Sequence, residues 1–379
     1  MRKVAVVFGG RSCENEISVL TGVFVMNVLD KQKYQVIPIY LHTDGGAYTA
    51  DEMLDLATFK KKRFEKFNRV VLDGGVLYAI HAAKKKIKRI AKLDAAINCC
   101  HGGLGEGGGV AAWMECNGVP FASPDLTASG VFMDKCMTKV VLRGLGITTV
   151  DYIRVNESDY KKRGAFLLKS IESRLQYPVI VKPAHLGSSI GIAVAKDEGQ
   201  AKAALESAFA LDDRVIIERF LENKLDVNCA AYTLNGEIFV SEPECAFGKG
   251  VYSFEEKYVK RKADGEQGVL AENGAKGGGR YALTGEIRDK IRAYTKTVYK
   301  RMNLFGAVRM DFLVHESGVF LCEVNTVPGS LAYYLFCERV MDARAFFSDL
   351  IEEAVAQSAK KKKKIVSTGI LQDVSWKRK

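Results

Sequence analysis

In the segment VRMDFLVHESGVFLCEVNTVPGS, residues 308–330, an arginine, two carboxylates and an amide recur at spacings that a β-hairpin would bring together. Alternate residues of a strand share a face. The spacing predicts a three-residue loop, Glu316 to Gly318, in which the glycine takes the positive φ that such a turn needs. Asp311 then falls opposite Glu323, and Arg309 opposite Asn325. One face carries these four residues together with Leu313 and Leu321. The other carries Phe312, Val314, Phe320, Cys322 and Val324. A one-residue slip would scatter the polar set. Two carboxylates and an amide are hard oxygen ligands, which suit Mg²⁺ bound together with substrate phosphates. An arginine beside them could stabilise a developing oxyanion.

Four further segments could do chemistry. In VIVKPAHLGSSIGIAV, two strands flank a Gly/Ser loop whose backbone N–H groups could cradle a phosphate, with Lys182 as a point charge. No GxxxxGK[ST] motif occurs, and no GxGxxG follows the first strand, so P-loop and dinucleotide sites are disfavoured. In MDKCMTK, Lys135 and Lys139 lie one helical turn apart and share a face. VIIERFLENKLDV is an apolar strand leading into a short segment with Glu218, where backbone groups and a carboxylate could meet an adenine amino group. HGGLGEGGG holds a GxGxxG spacing that any glycine-dense loop produces, and it places His101 at a strand end. Singly, each also fits an ordinary turn, a solvated lysine face or a strand end; only the ordered set is specific.

These residues need a frame. KVAVVF, then the glycine-rich GGRSCENE, then ISVLTGVFVMNVL with helical spacing read as strand, loop and helix. YQVIPIYL and LDAAINCC are further strands, and alternation of strands with helices predicts a parallel sheet. Ligands in such sheets bind beyond the carboxyl ends of strands, where both glycine loops sit. The divisions are residues 1–121, an N-terminal α/β substrate domain; 122–220, a central unit; 221–359, a C-terminal unit bearing the hairpin; and 360–379, a basic flexible tail. NCAAYTL and EIFVSEP pair through a turn at Asn235-Gly236. The Gly-, Lys- and Glu-rich stretch from Ala246 to Arg280 reads as a functional lid.

Composition narrows the classes. Hydrophobic residues at 47% and charged residues at 27% permit a sizeable core. No apolar run approaches the roughly 20 residues of a membrane span. Val4 to Phe8 is too short for a signal peptide, so a soluble cytoplasmic protein is expected. Nine scattered cysteines without a CxxC pair imply reduced thiols and no zinc site. The net charge of +11 sits in runs at Lys60–Arg63, Lys84–Arg89 and Lys360–Lys364 with no interleaved aromatics. That pattern argues against nucleic acid and for attraction of an anionic substrate.

In this order, from Val4 to about Ala356, the motifs resemble the D-alanine–D-alanine ligases of the ATP-grasp superfamily. The resemblance implies an α/β chain, α+β in its C-terminal part, with an ATP-grasp fold of three domains. It implies ATP and D-alanine as substrates, a pair of Mg²⁺ ions (Mn²⁺ as a substitute) and a homodimer. By similarity, Lys135, Lys182 and lid residue Lys257 hold phosphates; Glu218, Leu221 and Asp226 hold the nucleoside; and Asp311, Glu323 and Asn325 hold metal. Arg309 and Gly329 match the oxyanion residues. Glu14 matches the glutamate that holds the first amino acid, Ser188 and Tyr258 its hydrogen-bonded partners, and His101 a substrate-side histidine. Tyr258 in YSFEEKY favours an amine acceptor over a hydroxyl one. The chain departs from the family after PGS, where LAYYLF puts Tyr333 and Tyr334 near the acceptor, and in the lid at GAKGGGRYAL. Those departures leave a ligase with another acceptor, such as D-serine, as the alternative, and a non-catalytic nucleotide-binding regulator as a remote one.

Overall fold

Short apolar runs at the N-terminus form the expected parallel core. In the computed structural model, which describes residues 1–62, 64, 66–81, 85–245, 283, 285–360 and 368–370, β1 (Arg2–Gly9) is followed by α1 (Asn15–Val28) and β2 (Tyr34–Leu41). The strand β1 pairs in parallel with β2 on one side and with a later strand, Ala95–Asn98, on the other. Between these, β3 (Ala47–Thr49), α2 (Leu56–Lys60), β4 (Asn68–Asp73), β5 (Val76–His81) and β6 (Lys86–Lys92) add an antiparallel extension absent from the sequence reading. Ala95–Asn98 is β7, followed by α3 (Val110–Cys116) and β8 (Phe121–Ala122). The sheet order is β6-β5-β4-β3-β2-β1-β7-β8. Much of the basic run 84–89 is thus the edge strand β6, exposed along Lys86–Ile90. Lysines there discourage pairing with another chain. The second glycine loop is also not a loop: residues 103–109 coil as a wide helical turn leading into α3.

The segment MDKCMTKVVLRGLG does not make one helix. It divides at Asp134 into the end of α4 (Leu126–Met133) and α5 (Lys135–Gly144). The Asp134 carboxylate accepts from the backbone N–H groups of Cys136 (2.7 Å) and Met137 (3.1 Å), a normal task for a helix-capping aspartate. Then come β9 (Tyr152–Asn156), α6 (Glu157–Leu175), β10 (Val179–Pro183), β11 (Ala193–Ala195), α7 (Glu198–Phe209) and β12 (Arg214–Arg219). These strands form an antiparallel sheet in the order β11-β10-β12-β9, and α6 and α7 close its core with Leu168, Ile171, Ala204 and Leu205.

The third sheet contains β13 (Leu225–Leu234), β14 (Glu237–Val240) and β15 (Glu244–Cys245); helix α8 (Gly285–Arg301) precedes β16 (Val308–His315) and β17 (Gly318–Asn325). Asn235 and Gly236 take positive φ at 53° and 79°, the conformation that favours Asn-Gly in a two-residue hairpin turn. Helix α9 (Ala343–Lys360) returns to the first sheet. Its Phe346, Phe347, Leu350 and Ile351 join the core that contains Phe8, Phe24 and Met26. The lid segment Ala246–Arg280, with Lys257 and Tyr258, lies outside the described residues, as do tail residues 361–367 and 371–379.

The β16–β17 hairpin agrees with its expected register at one end and corrects it at the other. Asp311 pairs with Glu323 and Arg309 with Asn325, as read from the sequence. The turn, however, has two residues, Glu316 and Ser317, with His315 opposite Gly318, and an irregularity follows at Cys322. Beyond this bulge Phe320 faces Leu313, and Leu321 faces Phe312. Leu321 is therefore a core residue rather than a member of the polar face, and Phe320 sits with Leu313, Leu221, Val150 and Cys322 in a small apolar cluster. One extra residue reverses the strand's alternation without disturbing the four polar residues.

Candidate active site

The polar face of β16–β17 is a charge-matched lattice. Arg309 donates two hydrogen bonds to Asp311, at 2.7 and 2.9 Å, and a third at 3.1 Å to the Tyr334 hydroxyl. Asn325 Nδ2 donates to Asp311 at 3.0 Å. Glu323 lies 3.3 Å from Lys135 Nζ, which also donates to the Leu186 carbonyl at 2.6 Å. Lys135 stands at the start of α5 because Asp134 caps it, so the helix boundary aims this lysine. Two carboxylates and an amide thus share one face of the hairpin, and each carboxylate already faces a cationic or N–H donor.

Next to this face, Glu218 on β12 is buried between two lysines. Lys182 Nζ donates to one carboxylate oxygen at 2.6 Å, and Lys139 Nζ lies 2.6 Å from the other, as an ion pair rather than an aligned hydrogen bond. Burial would push the Glu218 carboxyl up, but the two ammonium groups outweigh it and hold it down at about 2. Burial likewise opposes the charge on Lys182, yet Glu218 keeps it above the ordinary lysine range. The sequence put Lys135 and Lys139 on one face with no task for Lys139. The structure gives them different carboxylates. Leu221, 9% exposed, belongs to the apolar cluster with Phe320 and could flank a flat ring.

The loops at the carboxyl end of β1 and after β10 meet at Glu14. Ser188 donates a short hydrogen bond to the Glu14 carboxylate. A side chain at Gly102 or Gly187 would bring a Cβ within 2.6 Å of a Glu14 oxygen and push the carboxylate aside. Ser12 Oγ donates to the His101 carbonyl at 2.6 Å and accepts from the Glu14 N–H at 3.2 Å, linking the two glycine-rich segments. His101 is 4% exposed, and its Nε2 lies 2.8 Å from Thr21 Oγ1. Burial lowers its pKa to about 4, with Arg309 adding to the effect, so the ring is neutral near pH 7. Thr21 Oγ1 also accepts from the Ser330 N–H at 3.2 Å, next to Gly329.

The LAYYLF departure divides in two. Tyr333 is 2% exposed and packs its ring on Phe24 (centroids 5.0 Å apart) and Phe347, as part of the core. Only Tyr334 reaches the site, through Arg309. The backbone allows this because Ser330, Leu331 and Ala332 all adopt left-handed φ, between 49° and 55°.

Among the residues named from the sequence, Glu14, Ser188 and His101 gather on one side, and Lys135, Lys182, Glu218, Arg309, Asp311, Glu323, Asn325 and Tyr334 on the other. Asp226 pairs with Lys224 and lies opposite Leu313, in line with the polar face but without a described contact to Glu218. Sequence reasoning named Lys139 without giving it a role, and it missed Thr21 and Glu106. The last two carried no signal beyond a lone hydroxyl in an apolar helix and a lone acid among glycines. It also missed His185, whose ring lies 3.0 Å from Asp212 and 3.5 Å from Asp134 and so ties the glycine loop to the cap of α5. All nine cysteines are free, and no helix among the described residues is long and apolar enough to cross a membrane.

The chain is similar to known proteins over nearly its whole length. The family model described as D-ala D-ala ligase N-terminus matches residues 3–124, and that described as D-ala D-ala ligase C-terminus matches residues 141–356. The D-alanine–D-alanine ligase of Thermosipho melanesiensis is 31% identical over 378 residues, covering 97% of each chain. That of Caldicellulosiruptor bescii is 30% identical over 362 residues, covering 95% of each. Among solved structures, D-alanine–D-alanine ligase from Helicobacter pylori superposes with a TM-score of 0.74 at 28% identity, over 96% of this chain and 100% of that one. VanG D-Ala:D-Ser ligase from Enterococcus faecalis gives a TM-score of 0.71 at 25% identity, over 94% and 99%.

Proposed function

The chain belongs to the D-alanine–D-alanine ligase family, and from that premise we propose how its own residues perform the reaction. It is an ADP-forming ligase that joins two D-alanines into the dipeptide used as a peptidoglycan precursor, and it uses ATP. The observation that carries the residue assignments is the single strand face bearing Arg309, Asp311, Glu323 and Asn325, with Lys135 3.3 Å from Glu323.

Three domains divide the work in this reading: residues 1–121 bind the donor amino acid, 122–220 cover the nucleotide, and 221–359 carry the catalytic face. Adenine lies against Leu221 and Phe320, with Glu218 at its amino side and Asp226 toward the ribose. The Glu218 oxygens already face two lysines, but each keeps a further lone pair for an N–H donor. Lys135 and Lys182, with Lys257 from the lid, hold the phosphates. Asp311, Glu323 and Asn325 fit Mg²⁺, or Mn²⁺ in its place, by their chemistry: two carboxylates and an amide, once the Asn325 side chain turns its oxygen inward. A pair of such ions supplies charge neutralisation for phosphoryl transfer.

The residues then act in two steps. Glu14 binds the ammonium of the first D-alanine, oriented by Ser188 and by Tyr258 of the lid, while neutral His101 faces the substrate. The γ-phosphoryl passes to the donor carboxylate, giving an acyl phosphate and ADP, and positioning supplies most of the rate. The amine of the second D-alanine then attacks the carbonyl. Arg309 and the Gly329 backbone N–H stabilise the tetrahedral oxyanion until phosphate departs. Closure of the lid keeps water from the acyl phosphate. A homodimer and a cytoplasmic location complete this reading.

One observation bears on the choice of acceptor. Tyr334 reaches Arg309 where the acceptor must sit, and D-serine is the acceptor to test against D-alanine. The deciding experiment is ADP release with Mg-ATP against single D- and L-amino acids and their pairs, with products separated by mass. Turnover with D-alanine alone supports the assignment. Turnover only with a D-alanine and D-serine mixture moves the acceptor. Silence with every amino acid overturns the substrate reading.

A further inference from the structure

Glu106 has no part in the mechanism above, yet it lies at its centre. Its Oε2 accepts the Gly102 N–H at 2.8 Å, immediately after His101. Its Oε1 accepts the Val327 N–H at 3.3 Å, two residues before Gly329. Its own backbone carbonyl accepts from Thr326 Oγ1 at 3.4 Å. One residue therefore ties together two segments more than 200 positions apart, and both border the reacting atoms. Thr21 also bridges the His101 ring to the Ser330 N–H. The ionisable groups facing the carboxylate are Glu14 and Arg309, the donor-side acid and the oxyanion arginine. Helical coiling of the glycines at 103–109 is what turns Glu106 back toward Gly102.

We propose that Glu106 is a positioning residue for ligation, a strap that fixes the donor-binding segment at His101–Gly102 against the oxyanion turn at Thr326–Gly329. The proposal rests on the site assignment above. Amino-acid chemistry depends on the strap because the donor carboxylate must lie between Glu14, which Ser12 ties to the His101–Gly102 segment, and Gly329, on the other segment. ATP does not depend on it, because Lys135, Lys182, Glu218 and Leu221 hold the nucleotide without touching either segment. A displacement of about 1 Å at a reacting centre can cost on the order of a hundredfold in rate.

The test compares wild type with Glu106→Gln and Glu106→Ala in the full chain, measuring ATP affinity by titration with Mg-ATP and D-alanine-dependent kcat/KM by ADP release. Glu106→Gln is nearly isosteric, but only its one amide oxygen can accept, so it cannot take both the Gly102 and Val327 N–H groups. The expected result is ATP affinity within about threefold of wild type in both variants. D-alanine kcat/KM should fall about tenfold or more in Glu106→Gln and about a hundredfold in Glu106→Ala. The proposal is overturned if Glu106→Gln keeps D-alanine kcat/KM within about twofold, or if ATP affinity falls in step with it, as a general loss of structure would produce. Should Glu106→Ala not fold, Glu106→Gln alone decides. Wild type that releases no ADP with D-alanine would instead overturn the substrate reading.

Discussion

At the scale of single residues, the Lys139–Glu218–Lys182 set shows how a buried charge is held. Glu218 could not stay ionised at 3% exposure without both ammonium groups. Removing Lys139 leaves one buried Glu218 oxygen without the cation that faces it. Lys139→Met should therefore destabilise the protein by about 3 kcal/mol, because breaking a buried pair costs far more than making it gained. In thermal unfolding this corresponds to a Tm lowered by roughly 6 °C or more, with weaker ATP binding because Glu218 loses one of the two cations that fix it beside Lys182. An unchanged Tm would remove Lys139 from the site's support. His185 offers a pH test. Hydrogen bonds to Asp134 and Asp212 outweigh burial and raise its pKa from 6.5 to about 9. The folded state favours the protonated ring, so its stabilising contribution is complete below about pH 6.5 and disappears as pH rises through about 9. The Tm gap between wild type and His185→Asn should be wide at pH 6 and narrow at pH 9.5; a gap equal at both values would show that the ion pairs contribute nothing. Chemistry at this scale was legible in the sequence where residues repeat at strand spacing, as in Arg309, Asp311, Glu323 and Asn325. It was not legible for Glu106 or Thr21, whose partners lie on segments that only the fold brings near.

At the scale of elements, periodicity located strands and helices but could not count a bulge. The alternation around Asp311 and Glu323 is visible because four polar residues interrupt apolar ones. Cys322 adds one residue to one strand only, and a sequence has no mark for that. Its consequence is that Phe320 joins Leu313 and Leu221 in the small cluster on the polar side instead of the core. The antiparallel extension β3–β6 was hidden for another reason. An edge strand facing water reads as a run of charge rather than as an alternating pattern. The turn after β17 yields a prediction. Gly329 has ordinary φ, and a Cβ added there meets nothing within 4 Å, so packing does not require glycine. Gly329→Ala should keep Tm within about 2 °C of wild type. It should nevertheless lower D-alanine-dependent ADP release at least tenfold or so, because a methyl group occupies space where the acyl carbonyl approaches the N–H. Loss of Tm in parallel with activity would make the glycine structural instead.

At the scale of the whole molecule, the N-terminal sheet does not own its core. Phe8, Phe24, Met26 and Tyr34 pack with Tyr333, Phe346, Phe347, Leu350 and Ile351, which come from the last fifty or so described residues. Phe24 alone meets Tyr333 at 5.0 Å and Phe347 at 5.9 Å between ring centroids. Tyr34 donates to Glu352 at 2.9 Å, and the Asn235 N–H donates to Glu353 at 2.8 Å, so α9 is pinned on both sides. The domain lines drawn from the sequence follow the chain, whereas apolar burial crosses them. A polypeptide of residues 1–124 would expose the whole α1 face that α9 and Tyr333 cover. Each large side chain so exposed forfeits about 1.5–3 kcal/mol, and a domain has only some 5–15 kcal/mol to lose. Expressed alone, that fragment should bind a hydrophobic dye and unfold without a cooperative transition. Mixing it with residues 125–379 should restore a sharp transition and D-alanine-dependent ADP release. A fragment that melts cooperatively by itself would show that β1–β8 with α1 and α3 is self-sufficient. In that case α9 would serve to dock the two halves of the active site rather than to complete a core.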